Sequence, residues 1–181
     1  KKQVRWGMIY RSAEIDSLEC YSRRELRNLG IKTLIDLRAS SETGRQSPLQ
    51  KEFNVVHIPL ATGDMENILK GIRQEKIKSD TVYRMEEQMN RDIIAKYPTE
   101  YRQIFDILLD KNSYPVVIHC SSGKGRTGIV SALVLAALGI NEDIIMEDYR
   151  LSNDYFNIPS ASKDAYQLPA RSQEAITTLF S

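Results

Sequence analysis

A polar, glycine-rich stretch set between two apolar ones does most to limit how this chain can fold. Val116-Val117-Ile118 leads into His119-Cys120-Ser121-Ser122-Gly123-Lys124-Gly125-Arg126-Thr127-Gly128, and the largely apolar Ile129 to Leu138 follows. The short β-branched run predicts a buried strand, and the longer run, closed by Gly139, predicts a buried helix. The polar stretch between them is then a strand-to-helix loop. Free backbone N–H groups and the positive end of the helix dipole converge there, which suits an anion.

The rest of the chain fits the same plan. Thr33–Leu37 and Val55–Leu60 read as further strands, with a shorter one at Gly7–Tyr10. Leu18, Tyr21, Leu26 and Leu29 give a helical pattern before Gly30, a suitable C-cap. Tyr97, Tyr101, Ile104, Phe105 and Leu108 give another, and Asn141 caps a helix through about Tyr149. Strands alternating with helices predict an α/β fold with a central, largely parallel sheet flanked by helices. No repeat or linker interrupts the chain, so residues 1–181 are expected to form a single domain. The charged segment from Asp64 to Lys96 is expected to be helical, an insertion covering the sheet's edge.

A net charge of +1 gives no general pull toward nucleic acid or membrane, so anion recognition must be local. The longest apolar run is about half the ~20 residues a membrane-spanning helix needs. The chain opens on Lys1 without a visible signal peptide, so a soluble, cytoplasmic protein is expected, with a removed leader left open. Cys20 and Cys120 form neither a disulfide framework nor a zinc spacing, and Cys20 fits an ordinary place in an amphipathic helix. No cluster of histidines or carboxylates has ligand spacing, so no metal or cofactor is expected.

Within the loop, Gly123 and Gly125 are expected to let the backbone curl and turn its N–H groups inward. That field favours the thiolate of Cys120, the nucleophilic form of a cysteine. Arg126 can grip two phosphate oxygens with its planar fork. Thr127 offers a hydroxyl beside the sulfur. A lone Cys-x5-Arg is weak, but requiring Gly123, Gly125, Gly128 and a hydroxyl at Thr127 brings chance occurrence to about 10⁻⁶–10⁻⁵ from average composition.

This stretch resembles the phosphate-binding loop of the protein tyrosine phosphatase superfamily. The chain is similar to its atypical bacterial tyrosine/serine branch through Tyr10-Arg11-Ser12-Ala13, Gly30–Arg38 with Glu42, and Leu138-Gly139-Ile140 leading to Tyr149 and Ser152-Asn153. The resemblance covers about residues 8–157. Many members of that branch carry Lys-Asp-Arg, whereas Lys124-Gly125-Arg126 resembles the tensin-type phosphoinositide phosphatases. No role of a loop aspartate transfers.

The resemblance implies a tyrosine/dual-specificity phosphatase fold and a phosphocysteine intermediate on Cys120. Ser121, Ser122, Gly123, Lys124, Gly125 and Arg126 would bind the phosphate. His119 is expected to orient backbone from a buried position. For the general acid, Asp64 is preferred because it follows a strand end and has Gly63 as a hinge; Asp36 is the alternative. The expected substrate is a phosphorylated protein or peptide, with a phosphoinositide or inositol phosphate second. A rhodanese, an arsenate reductase and a non-catalytic phosphate-binding module are the competing readings.

Overall fold

A computed structural model of the chain describes residues 4–16, 20–43, 47–61, 63, 65–155 and 175. Among these residues four strands, β1 (Ile9–Ser12), β2 (Thr33–Asp36), β3 (Asn54–His57) and β4 (Val116–His119), form one sheet in the order β1-β4-β2-β3. Every pairing is parallel. All four residues of β2 and of β4 are buried, whereas the edge strand β3 is half open. Parallel strands covered on both faces need apolar residues on both, which is why β2 and β4 lack a polar alternation.

The two faces still sort by the two-residue period of a strand. Ile35, Leu37, Val116, Ile118 and Cys120 enter the larger core, with Ile58, Leu60 and Ile104. Leu34 and Val117 enter a second core with Ile31, Leu49 and Phe53. Each such side chain contributes about 1.5–3 kcal/mol by leaving water.

Six helices among the described residues surround the sheet: α1 (Cys20–Asn28), α2 (Met65–Arg73), α3 (Ser79–Lys96), α4 (Pro98–Leu109), α5 (Gly125–Ala137) and α6 (Glu142–Tyr155). Gly30, at φ +68°, turns the chain out of α1, and Ile31 N–H donates to Leu26 O at 3.1 Å. Asn141 caps α6 by accepting from Asp143 N–H at 2.7 Å. That helix continues past the expected Tyr149 because no glycine or proline interrupts residues 150–155.

The segment expected to cover the sheet's edge is helical; its α3 packs against α5, and its Ile93 enters the larger core. Its Val82 joins Ile68 and Ile72 of α2 and Ala175 in a third cluster. Leu18 and the side chains of Cys20 and Tyr21 lie outside the described residues. No helix among the described residues is long and apolar enough to cross a membrane.

Candidate active site

Register brings the sequence-distant pieces together. Ser12 pairs with His119, and His119 with Asp36, across three adjacent strands. Their successors Ala13, Cys120 and Leu37 therefore leave at one carboxyl-terminal edge, where ligand sites of parallel sheets form. Two backbone bonds extend the alignment, from Leu37 N–H to His119 O at 2.9 Å and from Glu14 N–H to Ser121 O at 3.1 Å.

The loop curls back on its cysteine. Cys120 is buried, and Gly123 N–H donates to its Sγ at 3.3 Å. α5 closes its first bond from Gly128 N–H to Lys124 O at 2.8 Å, so the N–H groups of residues 125–127 have no acceptor within the helix. Gly123 has φ +73°, and a Cβ there would stand 2.8 Å from the backbone of Ser12 and Ala13. Both facts demand glycine. Gly125 differs from expectation: its φ is ordinary and a Cβ there would have no atom within 4 Å, so neither strain nor space requires glycine.

Arg126 is held by a residue for which the sequence pattern suggests no role. Its Nη1 and Nη2 donate to the two carboxylate oxygens of Glu42 at 2.5 and 2.8 Å. Ser121 Oγ donates to the same carboxylate at 2.6 Å and accepts from Arg126 Nη2 at 3.3 Å. Leu37 O and Leu60 O each accept from Nη1 at 3.4 Å. Burial pulls the Arg126 pKa down, but Glu42 and Cys120 outweigh it and the net shift is upward. Burial likewise pushes Glu42 up, yet bonds from Arg126, Ser121 and Ala39 N–H bring it down to about 2. The signal available in sequence was Glu42 placed four residues after Arg38.

Asp36 stands apart from this site. It shares the strand parity of Leu34, opposite to that of Leu37, and faces the buried Arg38, which donates to it from Nε at 3.0 Å and Nη2 at 2.6 Å. Arg38 also binds Asp16, and Glu14 lies 3.6 Å away. Burial pushes Asp36 up, but the bonds from Arg38 outweigh it and leave it lowered. His119 is on the same face, with Nδ1 3.9 Å from Asp36 Oδ1, and burial pushes its pKa down. The alternative acid and the histidine thus meet each other on the face opposite to Cys120. Asp64, the preferred acid, lies outside the described residues.

Thr127 is fully buried, and its Oγ1 has no hydrogen-bond partner among the described residues. Ser122 Oγ accepts from Lys124 N–H at 3.4 Å. Lys124 is half-buried, which pushes its pKa down against the opposing charge of Glu86 on α3. Tyr149 of α6 rests its ring on Gly128, where a Cβ would come within 2.7 Å of it. Beside the loop opens a cleft of about 420 Å³, lined by Arg11, Ser12, Ser122, Gly123, Asp148 and Leu151 among others.

A parallel sheet that delivers a buried cysteine into a glycine-curled loop, at a helix start and beside a clamped arginine, defines an anion-handling site of the phosphoester-hydrolase kind. A family model described as the tyrosine phosphatase family matches residues 1–181, so the chain belongs to that family and is a phosphatase. It is 33% identical to the triple specificity protein phosphatase PtpB of Mycobacterium tuberculosis, over 98% of this chain and 69% of that protein. It is 26% identical to a tyrosine-protein phosphatase of Nostoc commune, over 80% of this chain, and spans about half of that relative (48%). Among solved structures, P. aeruginosa TpbA in complex with phosphotyrosine aligns with 97% of this chain and 88% of its own, at 16% identity and a TM-score of 0.45.

Proposed function

We propose that the chain hydrolyses phosphotyrosine on proteins or peptides, with Cys120 as nucleophile and Arg126 as the phosphate-binding cation. The observation that carries the reading is the shared centre of three groups: the Cys120 sulfur, the Gly123 N–H aimed at it, and the Arg126 guanidinium within reach of it. Cys120 Sγ attacks phosphorus as the ester P–O bond breaks, and the departing oxygen takes a proton. Arg126 and the amides of residues 121–126 hold the three non-bridging oxygens, in which charge develops. Water then cleaves the S–P bond, releasing phosphate and restoring the thiolate.

Asp36 is a poor proton donor in this scheme, because Arg38 holds it ionised on the other face of the sheet. The cleft alongside Ser122 and Gly123 supports a peptide substrate by giving its flanking residues room. The name of the mycobacterial relative speaks of triple specificity, and Lys124 in the loop supports a second reading in which a multiply phosphorylated inositol or phosphoinositide is bound. Glu86 offsets the charge of that lysine, which favours the singly phosphorylated phosphotyrosine.

The test is turnover of a phosphotyrosine peptide by the wild-type chain, Cys120→Ser and Arg126→Ala, with a quenched-flow search for phosphate on Cys120. Cys120→Ser should lose turnover and keep phosphate binding; Arg126→Ala should weaken both. Substantial turnover by Cys120→Ser would rule out the covalent route.

A further inference from the structure

One guanidinium joins the catalytic loop to α6. Arg11 of β1 pairs with Ile118 of β4, so its side chain leaves the sheet on the face of Ile118 and Cys120. There its Nη1 donates to Asp148 of α6 twice, to the main-chain oxygen at 2.7 Å and to Oδ2 at 2.6 Å. Its Nη2 donates to Gly123 O at 3.3 Å. The same nitrogen lies 3.3 Å from where a Cβ on Gly128 would stand, so it borders the loop at Gly123 and the first turn of α5 together.

We infer that Arg11, held by Asp148, is a positioning residue: it fixes the peptide between Gly123 and Lys124 with its oxygen turned out of the loop and the Lys124 N–H turned in, toward the phosphate.

A trans peptide carries its C=O and its N–H on opposite sides. An oxygen held against Arg11 therefore sends the Lys124 N–H the other way, where it makes only a long bond, 3.4 Å, to Ser122 Oγ. Gly123 sits at φ +73° and has no Cβ to resist rotation of the peptide that follows it. A flipped peptide would aim a carbonyl oxygen at the thiolate and the phosphate, the reverse of what an anion nest needs. Elsewhere the loop is held by Glu14 N–H on Ser121 O and by Glu42 on Ser121 and Arg126. Arg11 supplies the hold between them, at the glycine. The same side chain has two plainer uses, as a brace between α6 and the sheet and as a background positive charge, and the test must separate all three.

The inference rests on the reading of this loop as the phosphate site, so vanadate affinity is measured beside turnover of a phosphotyrosine peptide and Tm. Arg11→Met should lower kcat and vanadate affinity about ten- to a hundred-fold with little change in KM, less than the 10²–10³-fold that loss of a direct oxyanion donor costs. Arg11→Lys keeps the charge, but one ammonium cannot serve Asp148 and Gly123 together, so it should stay close to Arg11→Met. Asp148→Ala leaves Arg11 in place but loosens it, and should lose a few-fold in the same direction. A background charge predicts otherwise: Arg11→Lys near wild type, and tighter vanadate binding in Asp148→Ala, which removes a negative charge. A brace alone predicts lower Tm with kcat and vanadate affinity unchanged. Either pattern overturns the assignment, and if Arg11→Met does not fold, the other two variants decide it. A wild type that binds vanadate but leaves phosphotyrosine uncleaved defeats the phosphotyrosine reading and leaves this test standing. An active wild type with unaltered vanadate affinity in all the variants defeats this inference alone.

Discussion

The guanidinium of Arg126 meets the carboxylate of Glu42 edge to edge, with its two terminal nitrogens on the two oxygens. Eighty-four residues of sequence separate the pair, and the pairing fixes the rotation of the fork about the long arginine side chain. Glu42 is itself pinned by Ala39 N–H at 2.7 Å and by Ser121 Oγ. The loop's cation is therefore oriented from a second loop, at the end of β2.

Glu42→Gln should leave Arg126 in place but free to rotate. A hydrogen bond to a charged group contributes about 1.5–3 kcal/mol, or about ten- to a hundred-fold in kcat/KM, and the partial exposure of Glu42 puts the expected loss at the lower end. Steady-state kinetics on a phosphotyrosine peptide checks this, with phosphate inhibition weakened in parallel. An unchanged phosphate affinity would separate Glu42 from the function of Arg126. Because Glu42 is lowered to about 2, its contribution to stability is complete above about pH 4.5 and fades as pH falls toward 2.

The two loop glycines should behave oppositely. Gly123→Ala places a methyl against the backbone of Ser12 and Ala13 at a left-handed φ, so both folding of the loop and turnover should suffer. Gly125→Ala meets open space at an ordinary φ, and reduced freedom of the unfolded chain should raise stability by about 0.4–1 kcal/mol. Thermal denaturation of both variants decides the matter. A destabilised Gly125→Ala would show that the position needs glycine for a reason the free space does not reveal.

Lys124→Met tests substrate class. If Lys124 holds a second phosphate, kcat/KM on inositol phosphates should fall about ten- to a hundred-fold, with little change on phosphotyrosine peptides. If Glu86 offsets its charge instead, the losses on the two substrate types should be similar and small, which is the expected outcome. A substrate panel on this one variant gives the answer.

Asp36→Asn should act on stability and leave leaving-group dependence untouched. It removes the main partner of a buried guanidinium; breaking such a pair costs about 3–5 kcal/mol, reduced here because Asp16 and Glu14 remain. Residual losses of about 2–3 kcal/mol correspond to a Tm lower by about 5–10 °C in a chain of this size. Both Asp36 and His119 have lowered pKa values, so each favours the folded state less as pH falls: His119 below about 6.5, Asp36 below about 3.8. Denaturant melts across pH 4 to 8 should show stability falling on the acid side, and His119→Gln should flatten the drop between about pH 6.5 and 5.

The loop, its cysteine and its arginine were legible in the sequence because their physics is local. A strand, a glycine turn with one left-handed residue and the free amides of a helix start are all properties of neighbouring residues. The strands were legible for the same reason, since a parallel strand buried on both faces must be apolar throughout.

Other relationships depended on register and packing across the sheet, which no short window of sequence carries. Asp36 and Cys120 both follow apolar strand residues, yet pairing Asp36 with His119 puts the aspartate on the opposite face, where Arg38 binds it. Glu42 reaches Arg126 only because β2 and β4 are neighbours. The charges of Glu86 and Lys124 act on each other because α3 packs against α5. The loop, with its buried cysteine and its arginine, was set by adjacent residues; what orients that arginine was decided by a tertiary contact with Glu42, 84 residues away in sequence.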